Sequence, residues 1–259
     1  MPALEKSPFP WSLLAVGVVG GLLAGLFGVG GGIVMVPLLM WWAKVDQRRA
    51  QATSLLAIAP AAVIGTSSYA LEGVFPLLAG LIVAAGGVLG AQVGALLLRK
   101  LSLGWLRWAF IAFVASMAVT VIFTIPHREV ALEVSVAAGI GLFAVGFLMG
   151  TAAGLFGIGG GILAIPILMV MFGIGDLEAK GVSLIAMAPA AISGSISHLR
   201  HRVATARDGA WVAFGALIAT PIGAAGAFLL PVQYANAVFG VFAIGIALTL
   251  AIRAVKNRH

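Results

Sequence analysis

The sequence predicts an all-α polytopic membrane protein: two inverted-topology repeats of about five apolar segments each, with broken or re-entrant helices at two GxGGG motifs. Three observations carry this prediction. The chain has 259 residues, 62% of them hydrophobic and 9% charged, and its mean hydropathy is +1.15. Soluble domains run near roughly 45–50% apolar and about 25% charged. Apolar runs follow one another along the whole chain. Finally, the phrase GLFGVGGGIVMVP at 25–37 returns as GLFGIGGGILAIP at 154–166.

Ten apolar segments are expected, near 11–28, 31–43, 51–70, 74–98, 105–125, 132–156, 161–173, 180–199, 209–230 and 235–252. Most have the length of about 20 residues that a helix needs to cross a bilayer. The second and seventh are shorter, and each follows a glycine phrase. The N-terminal run continues into the first phrase, so it reads as retained rather than as a cleaved leader.

Sliding the sequence by 129 positions superposes Gly25–Pro37 on Gly154–Pro166. It also superposes Ser54-Leu-Leu-Ala-Ile-Ala-Pro60-Ala-Ala on Ser183-Leu-Ile-Ala-Met-Ala-Pro189-Ala-Ala, and Gly65 on Gly194. Near Gly90 and Gly223 the register reads as slipping by a few residues. The expected units are residues 1–128, an N-terminal repeat, and 129–259, a C-terminal repeat, together forming one membrane domain. Five segments per repeat is an odd number, so the second copy is inverted relative to the first.

The charges agree with that topology. With the N-terminus in the cytoplasm, 13 of the 15 Lys and Arg fall on the inner side, leaving Arg128 and Lys180 outside. Re-entrant hairpins at segments 1–2 and 6–7 would give the same charge distribution. The net charge of +7 therefore reads as membrane orientation rather than nucleic-acid binding. The expected location is the cell inner membrane, multi-pass, with both termini cytoplasmic.

The chemistry concentrates in the repeated phrases. Gly28, Gly30, Gly31 and Gly32, with Gly157, Gly159, Gly160 and Gly161, are dense enough to break a transmembrane helix. Broken backbone at membrane depth persists only where it is buried in protein or lines a cavity. The segment after each break presents N-terminal amides and the positive end of a helix dipole, which suit an anion. Interrupted segments at matching positions in inverted repeats point to a substrate site at the repeat interface. The scattered Gly17, Gly20 and Gly21 read instead as helix-packing positions. A dinucleotide fingerprint fails, because Ile33 stands where its third glycine belongs and nothing suggests a strand.

Pro37, Pro60, Pro166 and Pro189 are expected at helix breaks or hinges. Ser54 and Ser183 serve either as caps for the carbonyls those prolines free or as substrate donors. Gln92, the one strongly polar side chain deep in a segment, either donates to substrate or bonds across helices. Tyr69 and His198 are in register near segment ends, and His198 reads as an interfacial residue rather than a proton carrier. No Asp, Glu, Lys or Arg is expected deep in any segment, which argues against an acid relay. The expected site holds its anion with backbone amides and hydroxyls, without a fixed cation. With no cysteine and no nucleophile–base pair, acid pair or metal-ligand cluster, the reading is a non-enzyme without cofactor or metal. The expected partners are a small anionic substrate and the lipid bilayer, and no nucleic acid. Assembly into a homo-oligomer is left open.

Two copies of GLFGxGGGxxxxP, each followed by a segment with Ser and Ala-Pro-Ala-Ala, resemble the sulfite exporter TauE/SafE family of membrane transporters. The resemblance runs through both repeats. It implies a transporter that exports a small sulfur-containing anion: sulfite, an organosulfonate such as sulfoacetate, or a related oxyanion. It also carries the family motif onto Gly28, Gly30, Gly31, Gly32 and Pro37, and onto Gly157, Gly159, Gly160, Gly161 and Pro166. Alternating access between the repeats is the expected mechanism, with a passive anion channel or facilitator of the same fold as the alternative.

Overall fold

The computed structural model describes residues 10–123 and 135–229, with a few helical positions between 241 and 252. The expected tenth segment, and the charges of both termini and of the 124–134 connection, lie largely outside the described residues. Within them the chain is helical throughout: α1 (Pro10–Phe27), α2 (Gly32–Trp42), α3 (Gln47–Leu71), α4 (Leu77–Lys100), α5 (Leu103–Phe123), α6 (Val136–Phe156), α7 (Gly161–Phe172), α8 (Asp176–Arg200) and α9 (Ala206–Leu229). Six of these, α1, α3, α4, α6, α8 and α9, are long and apolar enough to cross a membrane. The 11 residues of α2 and 12 of α7 span only about 16–18 Å at 1.5 Å per residue.

The 129-residue offset extends through the packing. A Cβ built on Gly17 would meet the Val212 carbonyl oxygen at 2.0 Å, and one on Gly146 would meet that of Val83, also at 2.0 Å. Gly25 lies against Thr220 as Gly154 lies against Ala91. Every member of each pair is 129 residues from its counterpart. So α1 packs on α9 exactly where its counterpart α6 packs on α4, through small residues that let helix backbones approach closely. The expected register slip is absent here. Gly94 lies against Thr151 and Gly223 against Leu22, and both pairs keep the offset of 129. The resemblance of Gly90 to Gly223 came from Gly/Ala-rich neighbours, not from equivalent positions.

Helix directions follow from the same contacts. Leu55 meets Gly194, and Leu184 meets Gly65, so the counterparts α3 and α8 run antiparallel. Leu55 and Gly65 lie five residues either side of Pro60, as Leu184 and Gly194 lie about Pro189. The crossing of α3 and α8 is therefore centred on the two repeated prolines. Leu56 meets Gly209 and Gly65 approaches Thr220, so α9 runs with α3. Ile185 meets Gly80 and Ala190 approaches Gly87, so α4 runs with α8.

These directions gather the starts of α3, α5 and α9 and the ends of α4 and α8 at one end of the molecule. Lys44, Arg48, Arg49, Arg99, Lys100, Arg107, Arg200, Arg202 and Arg207 collect there. Among the described residues, Lys180 is the one Lys or Arg placed elsewhere. The starts of α3 and α8 each fall four residues before the expected ones. α3 begins at Gln47 and α8 at Asp176, because the Asp46 carboxylate caps the Arg49 amide at 3.0 Å and Asp176 sits in the favourable first turn of α8. Hydropathy alone trims such polar turns from a segment.

Candidate functional site: the crossing of the two glycine phrases

Each phrase begins where a helix closes on glycine. The Gly28 amide donates to Ala24 at 2.9 Å and the Gly157 amide to Ala153 at 2.8 Å. Both glycines are left-handed, with φ of 65° and 66°, the backbone that ends helices and favours glycine. Gly31 and Gly160, at φ 69° and 79°, then open α2 and α7, and no side chain caps either terminus. Four-residue breaks separate each long helix from its short successor, and all ten residues of the two GxGGG phrases are buried.

The two phrases pass one another antiparallel, backbone against backbone. A Cβ on Gly161 would lie 2.6 Å from the Gly28 carbonyl oxygen. One on Gly159 would lie 3.4 Å from the Gly30 Cα, and one on Gly32 would lie 2.3 Å from the Gly157 carbonyl oxygen. The structure thus brings six of the eight predicted glycines, Gly28, Gly30, Gly32, Gly157, Gly159 and Gly161, into one crossing, while Gly31 and Gly160 pack back on Gly20 and Met149 of their own repeats.

Matching stripes of α3 and α8 flank it. On α8, Lys180, Ser183 and Met187 sit at i, i+3 and i+7, one helical face. The Lys180 stem lies against Gly28, the Ser183 hydroxyl donates to the Gly28 carbonyl at 3.2 Å, and Met187 Sδ reaches both Gly30 and Gly159. On α3 the counterparts are Gln51, Ser54 and Ile58. The Gln51 backbone lies against Gly157, the Ser54 hydroxyl donates to the Gly157 carbonyl, and Ile58 touches Gly159. In this conformation the two serines therefore cap glycine carbonyls of the opposite phrase, not carbonyls freed by the prolines. Removing one hydroxyl by Ser183→Ala leaves the buried Gly28 carbonyl without it. The expected cost is about 1 kcal/mol, read as a fall of a few degrees in the melting temperature, with Ser54→Ala giving a fall of similar size.

Pro37, Pro60, Pro166 and Pro189 lie inside continuous helices, so the chain breaks come from the glycines alone. Gln92 is exposed on α4, with Nε2 2.8 Å from the Ser193 carbonyl and 2.7 Å from its hydroxyl. It ties α4 to α8 and is not among the groups at the crossing. His198 is fully buried, not interfacial. Its Nε2 lies 3.2 Å from the Gly154 carbonyl, as the hydroxyl of its counterpart Tyr69 lies 3.2 Å from that of Gly25. A groove of about 560 Å³, mostly apolar, runs along α3 and reaches α8 at Ile185 and Ala188, either side of Met187.

Sequence reasoning missed the charge at this site. Lys180 belongs to α8, is 4% exposed, and bonds Asp176 at 2.6 Å. A second ion pair, Arg49–Asp208 at 2.6 Å, joins α3 to α9 with Asp208 only 2% exposed. These charges lie at the starts of their helices rather than deep in a segment, but they are buried, and the Lys180 stem at Gly28 puts a cation beside a site expected to lack one. The Asp-x-x-x-Lys spacing of 176–180, an i,i+4 pair, was the available signal.

Stacked long apolar helices, two short companions and two buried glycine breaks that meet define a polytopic membrane protein of the transporter kind, with interrupted helices at its centre. The family model described as Sulfite exporter TauE/SafE matches residues 2–121 and 142–259, and the chain belongs to that family. It is 28% identical over 211 residues to the "Probable membrane transporter protein YunE" of Bacillus subtilis (strain 168), covering 72% of this chain and 77% of that protein. It is 29% identical over 238 residues to a "Probable membrane transporter protein" of Xylella fastidiosa (strain 9a5c), covering 90% of each. No solved structure matches.

Proposed function

We propose that this membrane transporter exports a small sulfur-containing anion, sulfite, sulfoacetate or a related organosulfonate, across the inner membrane by alternating access. On this reading residues 1–128 and 129–259 are inverted repeats, and both termini are cytoplasmic. The observation that carries the proposal is the antiparallel crossing of the two glycine phrases between the stripes of α3 and α8. Two uncapped helix N-termini adjoin it, each with the positive end of its dipole and free amide donors, which favour an anion. The basic end gathered by α3, α4, α8 and α9 supports a cytoplasmic placement by the positive-inside tendency. A cell-negative potential drives an anion outward by about 2.3 kcal/mol per charge per 100 mV.

The substrate site comprises the amides of Gly30, Gly31, Gly32, Gly159, Gly160 and Gly161, lined by Gly28 and Gly157, whose own amides close α1 and α6, with Ser54 and Ser183 leaving their carbonyls to meet substrate. Pro60 and Pro189, at the centre of the α3–α8 crossing, are where the helices flex, with Pro37 and Pro166 tuning the short ones. Gln92 acts as an inter-helix tie.

Purified protein in liposomes is expected to take up labelled sulfite and sulfoacetate saturably. Uptake is expected to accelerate when the lumen is preloaded with unlabelled anion. Saturable uptake without that acceleration identifies a passive facilitator, and absence of uptake of both anions overturns the substrate class.

A further inference from the structure

The reciprocity of the two stripes fails at one position, and the failure is chemical. Where α3 carries Gln51, α8 carries Lys180, the one described cation away from the basic end. Lys180 is buried, its stem lies on Gly28, and its ammonium is held by Asp176 at 2.6 Å. Retaining a buried charge pair at a glycine break is costly unless the charges are used. Gln51 is fully buried, and neither its Nε2 nor its Oε1 has a hydrogen-bond partner. A buried amide without partners costs free energy that a bound group would recover.

Building on the anion-transport reading above, we infer that Lys180 is the anion-binding cation at one mouth of the crossing, Gln51 Nε2 is the neutral donor at the other, and Asp176 is a built-in competitor that holds Lys180 in the empty closed state. When the crossing opens toward Lys180, water reaches Asp176 at the first turn of α8, and the anion takes its place on Nζ. The ligand class is a small oxyanion, one anionic group of which pairs with the Lys180 ammonium. A fixed cation at one mouth and a neutral amide at the other makes the two mouths unequal in affinity, so the carrier binds more tightly at the Lys180 side.

The test is anion binding by purified protein, measured calorimetrically with sulfoacetate and sulfite, beside uptake in liposomes. Lys180→Gln alone strands the Asp176 carboxylate, so the decisive variant is Asp176→Asn with Lys180→Gln, which removes both charges at nearly constant shape. The double variant is expected to elute and melt as the parent does, with sulfoacetate Kd weakened tenfold or more. Asp176→Asn alone frees Lys180 and is expected to tighten Kd and slow exchange of preloaded anion. Gln51→Leu is expected to weaken binding less than the double variant does. If the parent binds and transports while the double variant binds within twofold of it, the role of Lys180 is overturned and the transport reading stands. If Asp176→Asn weakens binding, Asp176 is no competitor and the inference falls. If the parent neither binds nor transports either anion, the reading beneath the inference falls with it.

Discussion

Gly31→Ala and Gly160→Ala are each expected to abolish folding rather than to impair transport selectively. The backbone at both positions is left-handed, which costs an L side chain about 1–2 kcal/mol. The larger effect is steric. A Cβ on Gly31 would lie 2.0 Å from the Gly20 carbonyl oxygen, and one on Gly160 would lie 2.2 Å from that of Met149. Neither obstacle is a flexible side-chain tip; each is the backbone of a packed helix. Relief requires α2 to leave α1, or α7 to leave α6, for a total above about 4 kcal/mol. Gly73→Ala is the control, because φ there is 84° and nothing lies within 4 Å of a built Cβ. It is expected to cost only the backbone term of about 1 kcal/mol. Size-exclusion elution and thermal melting in detergent check the contrast. Equal melting temperatures for the three variants would contradict the close approach at the glycine breaks.

Arg49→Ala is expected to destabilise the basic end by about 3 kcal/mol. The Arg49 guanidinium lies 2.6 Å from Asp208, which is 2% exposed, and removing it leaves that carboxylate buried and uncompensated. Arg49 keeps 13% of its side chain exposed, which holds the cost toward the lower end of that class. Adding Asp208→Asn to Arg49→Ala removes the stranded charge and is expected to restore most of the loss. A double variant as unstable as the single one would show that Arg49 acts by packing instead.

Much of this architecture was written in the repeats. The register of Ser54 with Ser183 and of Pro60 with Pro189 placed the two central helices, and the doubled GxGGG phrase named the glycines that meet and those that open α2 and α7. The rest depended on terms a hydropathy reading discards. Asp176 fell outside the expected segment and Lys180 at its very edge because charge ends an apolar window, yet an i,i+4 pair neutralises itself and lets the helix begin at Asp176. His198 looked interfacial because it stands near a segment end. Its burial depends on the Gly154 carbonyl, supplied by another helix. The direction of α3 against α8 also required tertiary contacts, since sequence identity between copies says nothing of how they face each other.

The central claim is that the paired phrases form one anion site reached alternately from the two faces. The natural chain contains no cysteine, so Ser54→Cys and Ser183→Cys can each be probed without background. The measurement is the rate of labelling by a small membrane-impermeant methanethiosulfonate, applied from either face of oriented vesicles, with and without sulfoacetate. The account predicts that Ser54→Cys labels from the basic face and Ser183→Cys from the opposite one, and that saturating sulfoacetate slows both. Labelling of both cysteines from a single face, or rates indifferent to the anion, would contradict it.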